Sequence, residues 1–186
     1  QIWGMGAMTR TAGRQLEGVL SLAVAGDEIA FRRIIASYHE DMRRVAAFVA
    51  ADHAVAEEAT QAAWLIAWRK LGNVRDETHL RPWLISVAAN EAKRLLRKRR
   101  RRAMFEAVAD VSDEPGGVDP ATGIAGLDLD AAMSRLDPDD RALLAMRYVA
   151  GFDSTELAAA TGISPSGTRS RLERLLRRLR EDLDDG

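Results

Sequence analysis

Apolar positions recur every three to four residues along most of this 186-residue chain, the spacing of α-helices that each bury one face. Strand alternation and hairpin dipeptides are missing, while Ala, Leu, Arg and Glu dominate, so an all-α fold is expected. The pattern predicts four N-terminal helices, over about 14–25, 27–51, 54–71 and 82–101. In the third, Glu57, Thr60, Trp64, Ala67, Trp68 and Leu71 share one face, and both tryptophans read as core. Gly72 to Thr78 has loop chemistry, and Pro82 suits the first turn of the fourth helix. Three more helices follow within 137–183. Asp137 caps the first, from about 138 to 150, with Gly151 as its stop. The second starts after Asp153 and closes at Gly162, and Ser164 with Pro165 opens the third. The last two, joined by a short Gly-containing turn, make a helix-turn-helix.

Charge divides the chain further. Residues 1–102 carry +7, 103–140 carry −9, 141–180 carry +5 and the last six −4, so the overall −1 conceals two basic blocks around an acidic one. The acidic block holds Pro115-Gly116-Gly117, Asp119-Pro120 and Gly123 without an apolar period, which is linker composition. The expected organisation is two small helical domains, 8–102 and 127–186, joined by a flexible acidic linker at 103–126. Residues 1–7 read as a tag remnant ahead of Met8. No stretch of eighteen uninterrupted apolar residues occurs, so no membrane insertion is expected and the cytoplasm is the default location. The absence of cysteine removes disulfides, thiol catalysis and Cys-based zinc sites.

Within this frame the run KRLLRKRRRR, Lys93 to Arg102, changes the picture most. On a helical wheel Leu84, Ala88, Ala92 and Leu95 form a buried stripe. Trp83, Asn90, Lys93, Arg94, Arg97 and Arg101 fall opposite. Cations beside an exposed aromatic suit nucleic acid, since the cations meet phosphates and the ring stacks on a base. In the last helix Leu172, Leu175, Leu176 and Leu179 pack inward with Thr168. Ser166, Gly167, Ser170, Arg174 and Arg177 point outward, flanked by Arg169 and Arg171. Small, hydroxylated and cationic residues are what a major-groove helix requires. Nothing comparable supports catalysis. His39, His53 and His79 are scattered, and neither an HExxH spacing, a nucleophile elbow nor a phosphate loop occurs. No catalytic residue, metal or cofactor is expected, and the protein reads as a DNA-binding protein rather than an enzyme.

The stretches GDEIAFRRIIASYHEDMRRVAAFV and AEEATQAAWLIAWRKLGNVRDETHLRPWLISVAANEAKR, followed by a helix-turn-helix ending in TRSRL, resemble the extracytoplasmic-function (ECF, group 4) sigma factors of the bacterial sigma-70 family. The resemblance implies a region-two and a region-four domain that bring core RNA polymerase to promoters and nucleate DNA melting. It implies that 56–71 docks on the β′ clamp helices through Glu58, Gln61 and Leu65, and that the second domain meets the β flap. It implies −10 contacts from the loop at 73–80, with Asn73, Arg75, Asp76, Thr78 and His79, and from Trp83, Asn90, Lys93, Arg94 and Arg97. It implies −35 contacts from Ser166, Gly167, Arg169, Ser170, Arg171 and Arg174. An anti-sigma factor is an expected further partner, and the linker is expected to thread toward the active-site cleft. Four residues depart from the family pattern. Ser166-Gly167-Thr168 stands where many members have Gly-Thr-Val, with Thr168 replacing an aliphatic core residue. Ala62 stands where an acidic residue is common. The competing reading is a conventional helix-turn-helix regulator with an N-terminal dimerisation or ligand domain.

Overall fold

The computed structural model describes residues 18–109, 133 and 135–184, all of its regular structure helical. The elements are α1 (Val19–Val24), α2 (Glu28–Ala50), α3 (His53–Lys70), a 3-10 turn (Leu71–Asn73) and α4 (Glu77–Ala109). They continue with α5 (Pro138–Leu144), α6 (Ser154–Thr161) and α7 (Pro165–Asp184). Helices α2, α3 and α4 pack on one another, with α1 laid against α2.

Local chemistry sets these boundaries. Asp27 opens α2 by accepting from the amides of Ile29 (2.8 Å) and Ala30 (3.0 Å). Asp52 opens α3 by accepting from Val55 N at 2.9 Å, and it also holds Arg99 Nη1 at 2.7 Å. Each cap satisfies amides that the first helical turn leaves without partners. The buried face of α3 is small: Ala56, Ala59, Ala63 and Ala67. This lets its neighbours approach closely, and the buried Thr60 hydroxyl is satisfied by donating to Ala56 O at 2.8 Å.

The fourth N-terminal helix departs from expectation at both ends. It starts at Glu77, so Pro82 lies inside it rather than in its first turn. The true start is fixed by Asp76, which accepts from the amides of Thr78 (2.9 Å) and His79 (3.3 Å). The ring at Pro82 removes only one donor to the preceding turn. At the other end the helix runs to Ala109, so the first seven residues assigned to the linker are helical. The rest of that linker, residues 110–126, lies outside the described residues, as do 1–17.

The second set of helices follows its caps closely. The carboxylate of Asp137 accepts from Asp139 N and Asp140 N. Asp153 and Glu156 form a reciprocal capping box on α6, which closes at Gly162 with φ 71°. Ser164 Oγ accepts from Gly167 N at 3.1 Å to start α7. The helix expected over 138–150 is α-helical only to Leu144. Ala145–Val149 widen into a π-turn in which Ala150 N donates to Ala145 O at 3.0 Å and Phe152 N to Met146 O at 2.9 Å. That widening brings Phe152 into the interior, where it is fully buried.

The two helical units pack against one another. One apolar core runs through both, with Val45, Val49, Ile85 and Ala89 from the first meeting Leu136, Leu143, Met146 and Phe152 from the second. A smaller core lies wholly in the first unit, around Ile34, Met42, Leu80 and Leu84.

Thr168 is fully buried and its hydroxyl lacks a hydrogen-bond partner. Replacing an unpaired buried hydroxyl by a methyl of the same shape removes a desolvation cost. Thr168→Val is expected to raise unfolding stability by about 1 kcal/mol, read as a higher urea midpoint at unchanged m-value.

Candidate nucleic-acid interface

The segment Asn73 to Arg75 and the first half of α4 line a cavity of about 680 Å³. At its rim one Asp76 oxygen accepts from the Thr78 amide and hydroxyl and lies 2.8 Å from His79 Nδ1. These bonds, the Thr78 hydroxyl first, hold the Asp76 carboxyl well below the usual carboxylate range. Asp76 therefore organises the loop, and Asn73, Arg75, Thr78 and His79 face the cavity with Trp83 and Asn90. Because its folded-state pKa is depressed, the stability this carboxylate contributes is present above the unfolded Asp value. It is lost only as the pH falls through the depressed one.

Along α4 the stripe of Leu84, Ala88, Ala92 and Leu95 is buried as expected. The opposite face is less free than the helical wheel implied. Lys93 Nζ lies 3.0 Å from Asp139 Oδ1 on α5, with only 18% of its side chain exposed. Arg94 Nε donates to Glu91 at 2.7 Å, and Arg99 is held by Asp52. Trp83 is half-buried, whereas Asn90 and Arg97 are exposed.

In the helix-turn-helix, Ser166, Arg169, Ser170 and Arg174 are exposed along the first half of α7. Two of the residues assigned there behave differently. Arg171 turns back to α5, its Nε and Nη2 lying 2.8 and 2.6 Å from Asp140 Oδ1, and Asp140 is buried. At Gly167 the side-chain direction is filled, because a Cβ there would stand 2.8 Å from Ile163 Cγ2 and 3.1 Å from Ser164 Oγ. Both residues help to fix the helix, and both line an open hollow with Arg174.

A third surface lies on α3. Glu58, Gln61 and Leu65 are exposed along one face, and Trp68, read as core from the sequence, is 46% exposed beside them. Its ring is held edge-on against Phe31, with centroids 4.7 Å apart. Trp64 is half-buried and donates from Nε1 to His39 Nδ1 at 3.1 Å.

Sequence reasoning missed four residues that organise these surfaces. Arg81 donates to Asp41 Oδ2 from Nε at 3.0 Å and to the Ala150 carbonyl at 3.0 Å, linking the two units. Asp139 and Asp140 lie in the first turn of α5, and Asp52 caps α3. Nothing local signals their cationic partners, 31 to 47 residues away. Among the described residues no group of His, Asp and Glu is arranged to hold a metal, and no helix is long and apolar enough to cross a membrane.

Comparison with known proteins agrees with this division. The Sigma-70 region 2 family matches residues 34–102, and the Sigma-70 region 4 family matches residues 126–179. RNA polymerase sigma factor CarQ of Myxococcus xanthus is 31% identical over 164 residues, spanning 86% of this chain and 92% of that protein. The probable RNA polymerase sigma factor RfaY of Xanthomonas campestris pv. campestris is 28% identical over 93% of this chain, which covers only 45% of that relative. In fold, the chain is similar to sigma factor RpoE of Bartonella quintana, solved in complex with the anti-sigma factor NepR. The TM-score is 0.66 at 23% identity, covering 83% of this chain and 96% of that one.

The tight seat of Gly167 makes its own prediction. Alanine favours a helix over glycine by about 1 kcal/mol, yet here its Cβ would overlap the stiff β-branched Ile163. Gly167→Ala is expected to lower the urea midpoint, and Ile163→Ala in the same chain to remove most of that added loss in a double-mutant cycle.

Proposed function

The chain belongs to the sigma-70 family of RNA polymerase sigma factors, in the extracytoplasmic-function form that carries regions 2 and 4, and we propose that it acts as a group 4 promoter-specificity subunit. In this reading it directs core polymerase to promoters by reading a −35 duplex with α7 and a −10 element with the loop and face of α4. The single observation that carries it is the order of surfaces along one chain: an aromatic-and-amide cavity ahead of a basic helix, then a helix-turn-helix. A conventional regulator needs only the last of these.

The geometry supports the following roles. Extruding a base from the stack costs a few kcal/mol, which contacts inside a receiving pocket must offset. Trp83 and His79 offer stacking surfaces in the cavity, while Asn73, Thr78 and Asn90 offer hydrogen bonds. Arg75, Lys93, Arg94 and Arg97 supply charge for the phosphates. On α7, Arg169 and Arg174 are the base-reading candidates, and Ser166 and Ser170 are short enough to reach the backbone. Arg171, paired with Asp140, sets the pose of the helix, and Gly167 lets its first turn close on Ile163. The exposed face of Glu58, Gln61 and Leu65, extended by Trp68, suits docking on the β′ clamp helices, with the second unit meeting the β flap. The capture of RpoE by NepR supports an anti-sigma factor as a further partner. The cytoplasm, where polymerase works, is the corresponding location.

Run-off transcription with bacterial core RNA polymerase on a library of promoters tests this directly. Specific transcripts that appear only when the chain is added are the expected outcome. Tight duplex binding without any initiation would leave a conventional helix-turn-helix regulator instead. On a promoter so identified, Arg169→Ala or Arg174→Ala is expected to weaken −35 duplex binding by roughly 1–3 kcal/mol if it reads a base. Arg97→Ala is expected to weaken binding alike across sequences and to reduce the salt slope by about 1. A change in −10 sequence preference would show that Arg97 reads bases rather than phosphates.

A further inference from the structure

We propose that His79 sets the base preference of the −10 cavity: held in one tautomer by Asp76, its ring presents a fixed acceptor that selects a base carrying an exocyclic amine. The inference rests on the −10 reading above and names the class of base that the cavity takes.

One carboxylate decides the tautomer. Asp76 Oδ1 accepts from the amides of Thr78 and His79 at 2.9 and 3.3 Å and from the Thr78 hydroxyl, which fixes it at the start of α4 and favours its ionised form. The same oxygen lies 2.8 Å from His79 Nδ1. An ionised carboxylate can only accept, whereas a neutral imidazole has one donor and one acceptor nitrogen. The Thr78 hydroxyl has given its hydrogen to Asp76, so its oxygen, 3.2 Å from Nδ1, can likewise only accept there. Nδ1 is therefore the donor, and Nε2 on the far side of the ring is the acceptor. Every hydrogen bond described for the ring is at Nδ1. The side chain is 58% exposed and lines the cavity with Trp83, so a base can reach it.

The neighbouring groups do not fix this choice. Asn73 and Asn90 line the same cavity, but an amide can turn to offer either a donor or an acceptor. Arg75 only donates, and alone it would favour a carbonyl. Glu156, on the opposite wall, is engaged in the capping box of α6. Adenine and cytosine carry an amine where guanine and thymine carry a carbonyl oxygen. Against Nε2 the amine makes a hydrogen bond, whereas a carbonyl sets two acceptors face to face. A site that bonds an N–H rejects the base lacking it, because its own polar group is then left without a partner.

The test uses the chain assembled with bacterial core RNA polymerase. Its ligands are single-stranded oligonucleotides carrying the non-template −10 strand of a promoter found by run-off transcription. Affinity is read by fluorescence anisotropy at about pH 8, where an ordinary imidazole is neutral, with each base placed at each −10 position in turn. One position is expected to prefer adenine or cytosine over guanine and thymine by roughly five- to tenfold. Purine or pyrimidin-2-one at that position, each lacking the amine, is expected to lose most of the gain. His79→Phe keeps a ring for stacking and removes Nε2, so it is expected to abolish most of the preference. Asp76 is a positioning residue. Asp76→Ser keeps a capping oxygen for α4 but removes the carboxylate that fixes the ring, and is expected to narrow the preference. An amine preference that survives His79→Phe would overturn the proposal, as would a preference for carbonyl bases at the position where His79→Phe acts. If the unaltered chain distinguishes no base at any −10 position, the −10 reading itself fails, and the proposal with it.

Discussion

Like charges on one helix repel, and α4 carries eight cations within Lys93 to Arg102. That repulsion is the constraint around which much of the molecule is arranged. Unfavourable by itself, it is relieved by carboxylates brought from several places: Asp52 at the start of α3, Glu91 one turn back on α4, and Asp139 at the start of α5. Two of the three come from helix N-termini, where a carboxylate is also favoured by the helix dipole. The same acids that start helices therefore quieten a basic surface. Asp52 does both at once, capping Val55 and holding Arg99. The pairs differ in setting: Lys93 and Glu91 are largely covered, whereas Asp52 and Arg99 meet at a more exposed surface, where an ion pair is individually weak.

Charge could not be arranged this way without close packing beneath it. The alanines of α3 let α2 and α4 come near enough for Asp52 to reach Arg99 across two helices. On the other side of α4, the π-turn after Leu144 redirects the chain so that Phe152 is buried rather than exposed. A regular helix through Val149 would have kept the i-to-i−4 pairing and carried the chain onward. Widening to Ala150 N–Ala145 O swings Gly151 into its left-handed turn and delivers the Ala150 carbonyl to Arg81. A local irregularity in one unit thereby makes a contact with the other.

Much of this was legible in the sequence. The all-α class, the helix-turn-helix with its caps at Asp153, Gly162 and Ser164, and the buried stripe of α4 follow from periodicity and capping chemistry. These are local rules, and they succeed where local chemistry decides. Pro82 misled because a proline favours a helix start but does not compel one, and Asp76 supplied a stronger start five residues earlier. Trp68 misled because a shared helical face says nothing about how far the neighbouring helix extends, and here half the ring projects past it. Arg171 and Lys93 were assigned to DNA from helix direction and from the family resemblance, neither of which reveals an ion-pair partner. Their carboxylate partners lie 31 and 46 positions away, a separation at which no spacing rule operates.

One residue of the same interface works against it. Arg141 is buried beside Arg100 of α4, and its Nε has no hydrogen-bond partner. Burial first, then the Arg100 charge, push its pKa down from the ordinary guanidinium value, which means that its charged form is less favourable here than in water. A guanidinium stays protonated under such pressure, so the cost appears in conformation instead. The part that comes from Arg100 of α4 falls on the arrangement that brings the two units together. The shared apolar core and the Asp139 and Arg81 contacts favour docking, and Arg141 opposes it. Opposed contributions at one interface keep the packed arrangement from becoming a deep trap.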